Sequence, residues 1–183
     1  MSKPFIKSAD TSTSVSNSRS EIEKMLRRYG AHSLSVGQDY QRGTVVVSFI
    51  VPNTPTKDSQ AIPIRLPVSV RAVYDRLYGQ PQRWLVDPET NKGRYAHNPN
   101  GYDTKKLEQA ERVAWRHLVL WIDAALTSAQ AGLQTMTEAF LAHAVIPSET
   151  GAPVRVMDYL EAAQGQLAPG VRGLLAAPAE TEP

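Results

Sequence analysis

Between Thr104 and Gly132 the chain sets Leu107, Ala110, Ala114, Leu118, Trp121 and Ala125 at steps of three or four, the spacing of one long amphipathic helix. An apolar stripe of that length has to be covered by a second layer. The covering layer is encoded upstream. "AHSLSVGQDY" alternates weakly, "RGTVVVSFIVP" is β-branched on both faces, and "AIPIRLP" alternates Ile62, Ile64 and Leu66 against Pro63 and Arg65. These three runs predict short strands. The middle one suits a central position, coverable on both sides, and Pro63 confines the third to an edge or a strand end.

Shorter helical signals surround this core. Ser20 and Glu23 have capping-box spacing, with Ile22, Met25, Leu26 and Tyr29 on one stripe that Gly30 can close. Val70, Val73, Tyr74 and Leu77 precede Gly79 at helical spacing, Thr135 and Glu138 repeat the capping box before "AFLAHAVIP", and a last helix is expected after Pro153. The fold class that follows is α+β, a small, mainly antiparallel three-stranded sheet packed on the long helix. One domain spans 19–175, preceded by a Ser/Thr-rich disordered arm over 1–18 and followed by a free acidic tail over 176–183.

From Gln80 to Asp103 the turn signals "QPQ", "DPETNKG" and "NPNG" interrupt any periodicity, which predicts a long loop. Long loops in small domains often carry function, so this segment is the first candidate for a site.

Several chemistries find no support. The 183 residues include no cysteine, which excludes disulfides and thiolate metal sites and fits a reducing cytoplasm. No run approaches the roughly 18 apolar residues of a spanning helix and the N-terminus lacks the apolar core of a signal peptide, so a soluble, cytoplasmic protein without membrane contact is expected. His32, His97, His117 and His143 lack zinc-hydrolase spacing, and no phosphate loop, dinucleotide fingerprint or nucleophile elbow occurs. Asp87, Glu89 and Lys92 resemble a metal-nuclease set in residue type alone; in a turn-rich segment they fit a solvated turn better. No catalytic residue, metal or cofactor is assigned.

Charge is distributed unevenly. Up to Arg116 there are 18 Lys and Arg against 11 Asp and Glu; from His117 onward there are 2 against 7. Lys105, Arg112 and Arg116 project within roughly 40° of the face opposite Leu107 at about 100° per residue. Lys106 sits beside the helix entrance, where backbone N–H groups favour an anion. The preceding segment adds Arg83, Trp84, Lys92, Arg94, Tyr95 and Tyr102, a mixture suited to phosphate contacts and base stacking. A charged face opposite the core is also what any surface helix presents, and loop aromatics often anchor a loop to its own core.

"SRSEIEKMLRRYGA" together with "AERVAWRHLVLWIDAALTSAQAGLQTMTEAFLAHAVI" resembles a family of small uncharacterised proteins of bacteriophages and bacterial mobile elements, over roughly residues 16 to 165. That resemblance implies a phage or mobile-element setting and no chemistry. In topology, three strands followed by a long helix are similar to the core of phage single-strand annealing proteins, and the order α-β-β-β-α is similar to double-stranded RNA-binding domains; both likenesses concern fold alone. The expected function is a non-catalytic nucleic-acid-binding accessory protein for single-stranded or distorted DNA. The alternative is a protein-binding inhibitor or adaptor aimed at a host protein, using Phe140, Leu141, Val145 and Ile146 of the acidic C-terminal third.

Overall fold

In the computed structural model, which describes residues 6–52, 61–87, 90, 92–148 and 151–163, the three predicted strands form one antiparallel sheet. Its order is β1 (Ser33–Asp39), β2 (Thr44–Pro52), β3 (Ala61–Ser69). The β-branched run lies in the middle. Register pairs Leu34 with Phe49, Val36 with Val47, Phe49 with Ile64 and Val47 with Leu66, so these apolar side chains share one face. Val45, Val47, Phe49 and Val51 are buried there, whereas Val46, Ser48 and Ile50 on the other face stay half-exposed. Among the described residues β2, whose sequence allows burial on both sides, is fully buried on one face alone. Pro63 and Pro67 lie on β3, whose outer side makes a single bridge among the described residues, from Ile64 to Ala144, so the missing N–H groups interrupt no continuous ladder there.

Helix α1 (Val15–Arg28) begins earlier than the Ser20–Glu23 spacing predicts. Ser14 is the cap: its hydroxyl accepts from the Asn17 N–H at 3.1 Å, which leaves Ser20 inside the helix. Val15, Ser18, Ile22 and Leu26 then form the inward stripe. The expected free arm also needs correction for its described part. Residues 6–14 lie along the long helix, where Gln109 Nε2 donates to the carbonyls of Ala9 (3.0 Å) and Thr11 (3.1 Å) and His117 Nε2 donates to that of Lys7 (2.6 Å). Donor side chains on the helix thus satisfy backbone that low apolar content alone would leave to water. Residues 1–5 and the acidic tail 176–183 lie outside the described residues.

Past β3, Ser69 caps α2 (Val70–Tyr78), and Asp103 caps the long helix α3 (Thr104–Gln130) by accepting from the Lys106 N–H at 2.9 Å. Gly132, at φ +74, ends the run where the sequence places the stop. The buried arc of α3 is wider than one stripe. Val113, Trp115, Val119, Ile122 and Leu126 join Ala110, Ala114, Leu118 and Ala125, because α1, α2 and α4 (Met136–Phe140) all pack against this helix. Thr135 and Glu138 close the predicted capping box on α4. A 3-10 turn (Leu141–His143), the short pair β6 (Val145–Ile146) and β7 (Val154–Arg155), and α5 (Val156–Ala163) complete the described residues. No described helix is long and apolar enough to cross a membrane.

His143 gives this C-terminal region a pH dependence. Its ring stands 5.3 Å from Trp121, its Nδ1 is buried without a partner, and burial first, then the Arg155 guanidinium, hold its pKa below the ordinary 6.5, with Asp158 opposing. As pH falls below 6.5 the unfolded chain takes up this proton before the folded one does, so stability is lost from there down through the depressed folded value. Urea midpoints measured across that range should fall with pH, and His143→Phe should flatten the decline; an unchanged slope in the variant would place the dependence elsewhere.

Candidate nucleic-acid interface

The segment expected to be an irregular loop is a β-hairpin. β4 (Gln82–Val86) and β5 (Gly93–His97) pair antiparallel, with Trp84 opposite Tyr95 and Leu85 opposite Arg94. The signal was an aromatic cross-strand pair on two five-residue runs, with "DPETNKG" as the connection. In that turn the Asp87 N–H donates to the Lys92 carbonyl at 3.0 Å, and Asp87 Oδ1 accepts from the Thr90 N–H at 3.4 Å. Glu89 lies outside the described residues. Among the described residues no group of three His, Asp or Glu is placed to hold a metal ion.

Pleating divides the hairpin into two surfaces. Gln82, Trp84, Val86, Tyr95 and His97 share one; Arg83, Leu85, Arg94 and Ala96 share the other. The Trp84 and Tyr95 rings meet edge to face at 4.8 Å yet remain 55% and 69% exposed. Arg83, Lys92 and Arg94 are exposed, and none of the ion pairs among the described residues involves them. Gly93 is required by the indole lying across it: a Cβ there would stand 1.8 Å from Trp84 Cζ2. Gly93→Val should therefore expel the indole and abolish the near-ultraviolet circular dichroism of the Trp84–Tyr95 pair. Because the hairpin rim carries little of the core, the unfolding free energy should move by no more than about 0.5 kcal/mol. A larger loss in a urea titration would show the hairpin to be part of the cooperative unit.

At the base of the hairpin, Tyr102 is an anchor. It packs edge to face on Tyr74 at 4.9 Å, lies 5.2 Å beneath the Arg71 guanidinium, and its hydroxyl is 3.4 Å from His97 Nε2. Burial first, then the nearby Asp75 carboxylate, push its phenol pKa upward. Its ring is thus occupied inside the protein. Lys106 places its ammonium 5.4 Å from the Tyr78 ring, and Lys105 is exposed in the first turn of α3.

No family model, curated protein or solved structure matches the chain. The site therefore stands on its own geometry. Five of the nominated residues, Arg83, Trp84, Lys92, Arg94 and Tyr95, come together on the hairpin, Tyr102 meets its base at His97, and Lys105 and Lys106 lie in the first turn of α3. Arg112 and Arg116 lie farther along α3 with contacts of their own, Arg112 keeping its charge and Arg116 sharing its own with a carboxylate. Both donor nitrogens of Arg112 that bond go to Gln109 Oε1, at 2.9 and 2.6 Å, and Arg116 pairs with Glu21 of α1 at 2.7 Å. Arg71 and Tyr78, which complete the aromatic and cationic base, were missed; the Tyr74–Tyr78 spacing of four on one helix was the available sign. The alternative protein-binding surface loses its centre, since Phe140 is 1% exposed and Val145 and Ile146 are half-buried, with Leu141 alone exposed by half.

Proposed function

We propose that the β4–β5 hairpin binds single-stranded or distorted DNA and that the protein acts as a non-catalytic nucleic-acid-binding accessory. The observation that carries this reading is the exposure of Trp84 and Tyr95 side by side on a ribbon whose other face bears Arg83 and Arg94. Large aromatic side chains normally bury their area. Here they hold each other in place in solvent, preorganised as stacking faces, while the cations of the same ribbon, which enter no ion pair among the described residues, suit phosphates on the strand that supplies the bases. Duplex DNA keeps its bases stacked, which is why the aromatic pair favours unpaired or distorted strands. The family resemblance implies a phage or mobile-element setting for such an accessory.

The test is a salt titration of fluorescent oligothymidylate and of a mixed-sequence duplex with the purified chain. Tighter binding of the single strand, weakening steeply as salt rises, is the expected result. Failure of the folded protein to bind either oligonucleotide at low salt would overturn it.

A further inference from the structure

The inward layer of the sheet is incomplete at β1. Among the described residues nothing pairs with the outer edge of this strand; over Ser33–Gln38 that edge carries neither charge nor proline, and the strand's one charge, Asp39 at its end, is turned to Arg42. Beside it, between α1 and β1, opens a cleft of about 550 Å³ whose apolar part is formed by Val15, Ile22, Leu34 and Val36 over Trp115 and whose charged lining is Arg19 and Glu23. Leu34 and Val36 are only half-buried because of it. A cleft with an apolar floor beside a strand edge that is unpaired among the described residues is the arrangement that accepts an added strand: main-chain bonds hold the backbone while alternate side chains fill the cleft.

Charge selects the kind of strand. Arg19, which lines the cleft, lies 5.7 Å from the Trp115 ring centroid and takes part in none of the ion pairs among the described residues. The acidic neighbours on its helix pair with other cations, Glu21 with Arg116 and Glu23, which also lines the cleft, with Arg27. We propose that an extended acidic peptide docks on β1 as a fourth strand, its apolar side chains entering the cleft and an intervening carboxylate meeting Arg19. A free acyl carboxylate would satisfy the cleft and Arg19 but leave the β1 N–H and C=O groups unpaired, so the edge itself favours a peptide.

The probe is a fluorescein-labelled peptide alternating valine with glutamate, titrated into the full chain by anisotropy, alongside the same peptide N-methylated at alternate amides and a version with lysine for glutamate. Saturable binding of the first is expected, with the other two, and the variants Arg19→Gln and Ser20→Trp, weaker by at least about tenfold. Ser20 lines the cleft from an exposed helix position, so a tryptophan there blocks the cleft without touching the core, and circular dichroism verifies folding of both variants. Equal binding of the methylated peptide, or no binding of any peptide by the folded protein, would overturn the proposal. So would displacement by dodecanoate at concentrations comparable to the unlabelled peptide, or a dimer that Ser20→Trp converts to monomer, which would assign the edge to a second copy of the chain.

Discussion

Replacing Phe140 by alanine should destabilise the protein by about 3 to 5 kcal/mol, read as a fall in the urea midpoint with little change in slope. Phe140 sits edge to face against Phe49 of β2 at 5.6 Å and against Trp121 of α3 at 5.5 Å, so one ring joins the sheet, the long helix and α4. Helix α4 has five residues, too few to hold itself by its own hydrogen bonds. Its place depends on this side chain. Alanine would leave a cavity between two aromatic rings that cannot both move in, whereas Phe140→Leu keeps most of the volume and should cost markedly less. Leu141→Ala, one position on and half-exposed, should stay within about 0.5 kcal/mol. A cost for Phe140→Ala as small as that of Leu141→Ala would mean that the three elements are held by something other than this contact.

Fold class was legible because the strongest signals came from burial. The β2 run, the alternation of Ile62, Ile64 and Leu66 on β3 and the steps of three and four along α3 all reflect contact with one core, and contact imposes period on sequence. The hairpin escaped because burial does not shape it. On β4 and β5 a single residue of each strand, Leu85 and Ala96, is even half-buried, so no apolar alternation stands out against the turn residues around it. Helix α1 was placed late for a different reason. Ser14, Ser16, Ser18 and Ser20 all have cap chemistry, and which hydroxyl accepts the helix N–H depends on where residues 6–14 come to rest on α3.

For the site, residue types were readable and their shared surface was not. Measuring from Leu107 treated the core as one direction, yet Leu107 is only half-buried and the buried arc of α3 runs round to Val119, about 20° from Arg112 at ~100° per residue. Arg112 and Arg116 therefore lie at the margin of packed surface, where Gln109 and Glu21 reach them. Conversely, Trp84 and Arg83 are neighbours in sequence and opposite in direction, a separation that exists only once the segment is known to be a strand.

That separation sets the second large effect. Trp84→Ala and Tyr95→Ala should each weaken oligothymidylate binding by about 1 to 3 kcal/mol while leaving its salt dependence nearly unchanged, since a stacked base releases no counterion. Changing Arg83, Lys92 and Arg94 together to alanine should instead flatten the slope of log affinity against log salt by about 2, at roughly 0.7 per phosphate contact on a single strand. The two classes of variant should thus be distinguishable in one titration series, aromatic changes shifting the line and cationic changes tilting it. Arg116→Ala serves as the discriminating control, because its guanidinium pairs with Glu21. Its loss should cost some stability and leave the slope unaltered. A slope flattened by Arg116→Ala but indifferent to the hairpin cations would move the interface from the ribbon to the flank of α3, and the exposed Trp84–Tyr95 pair would then need another partner.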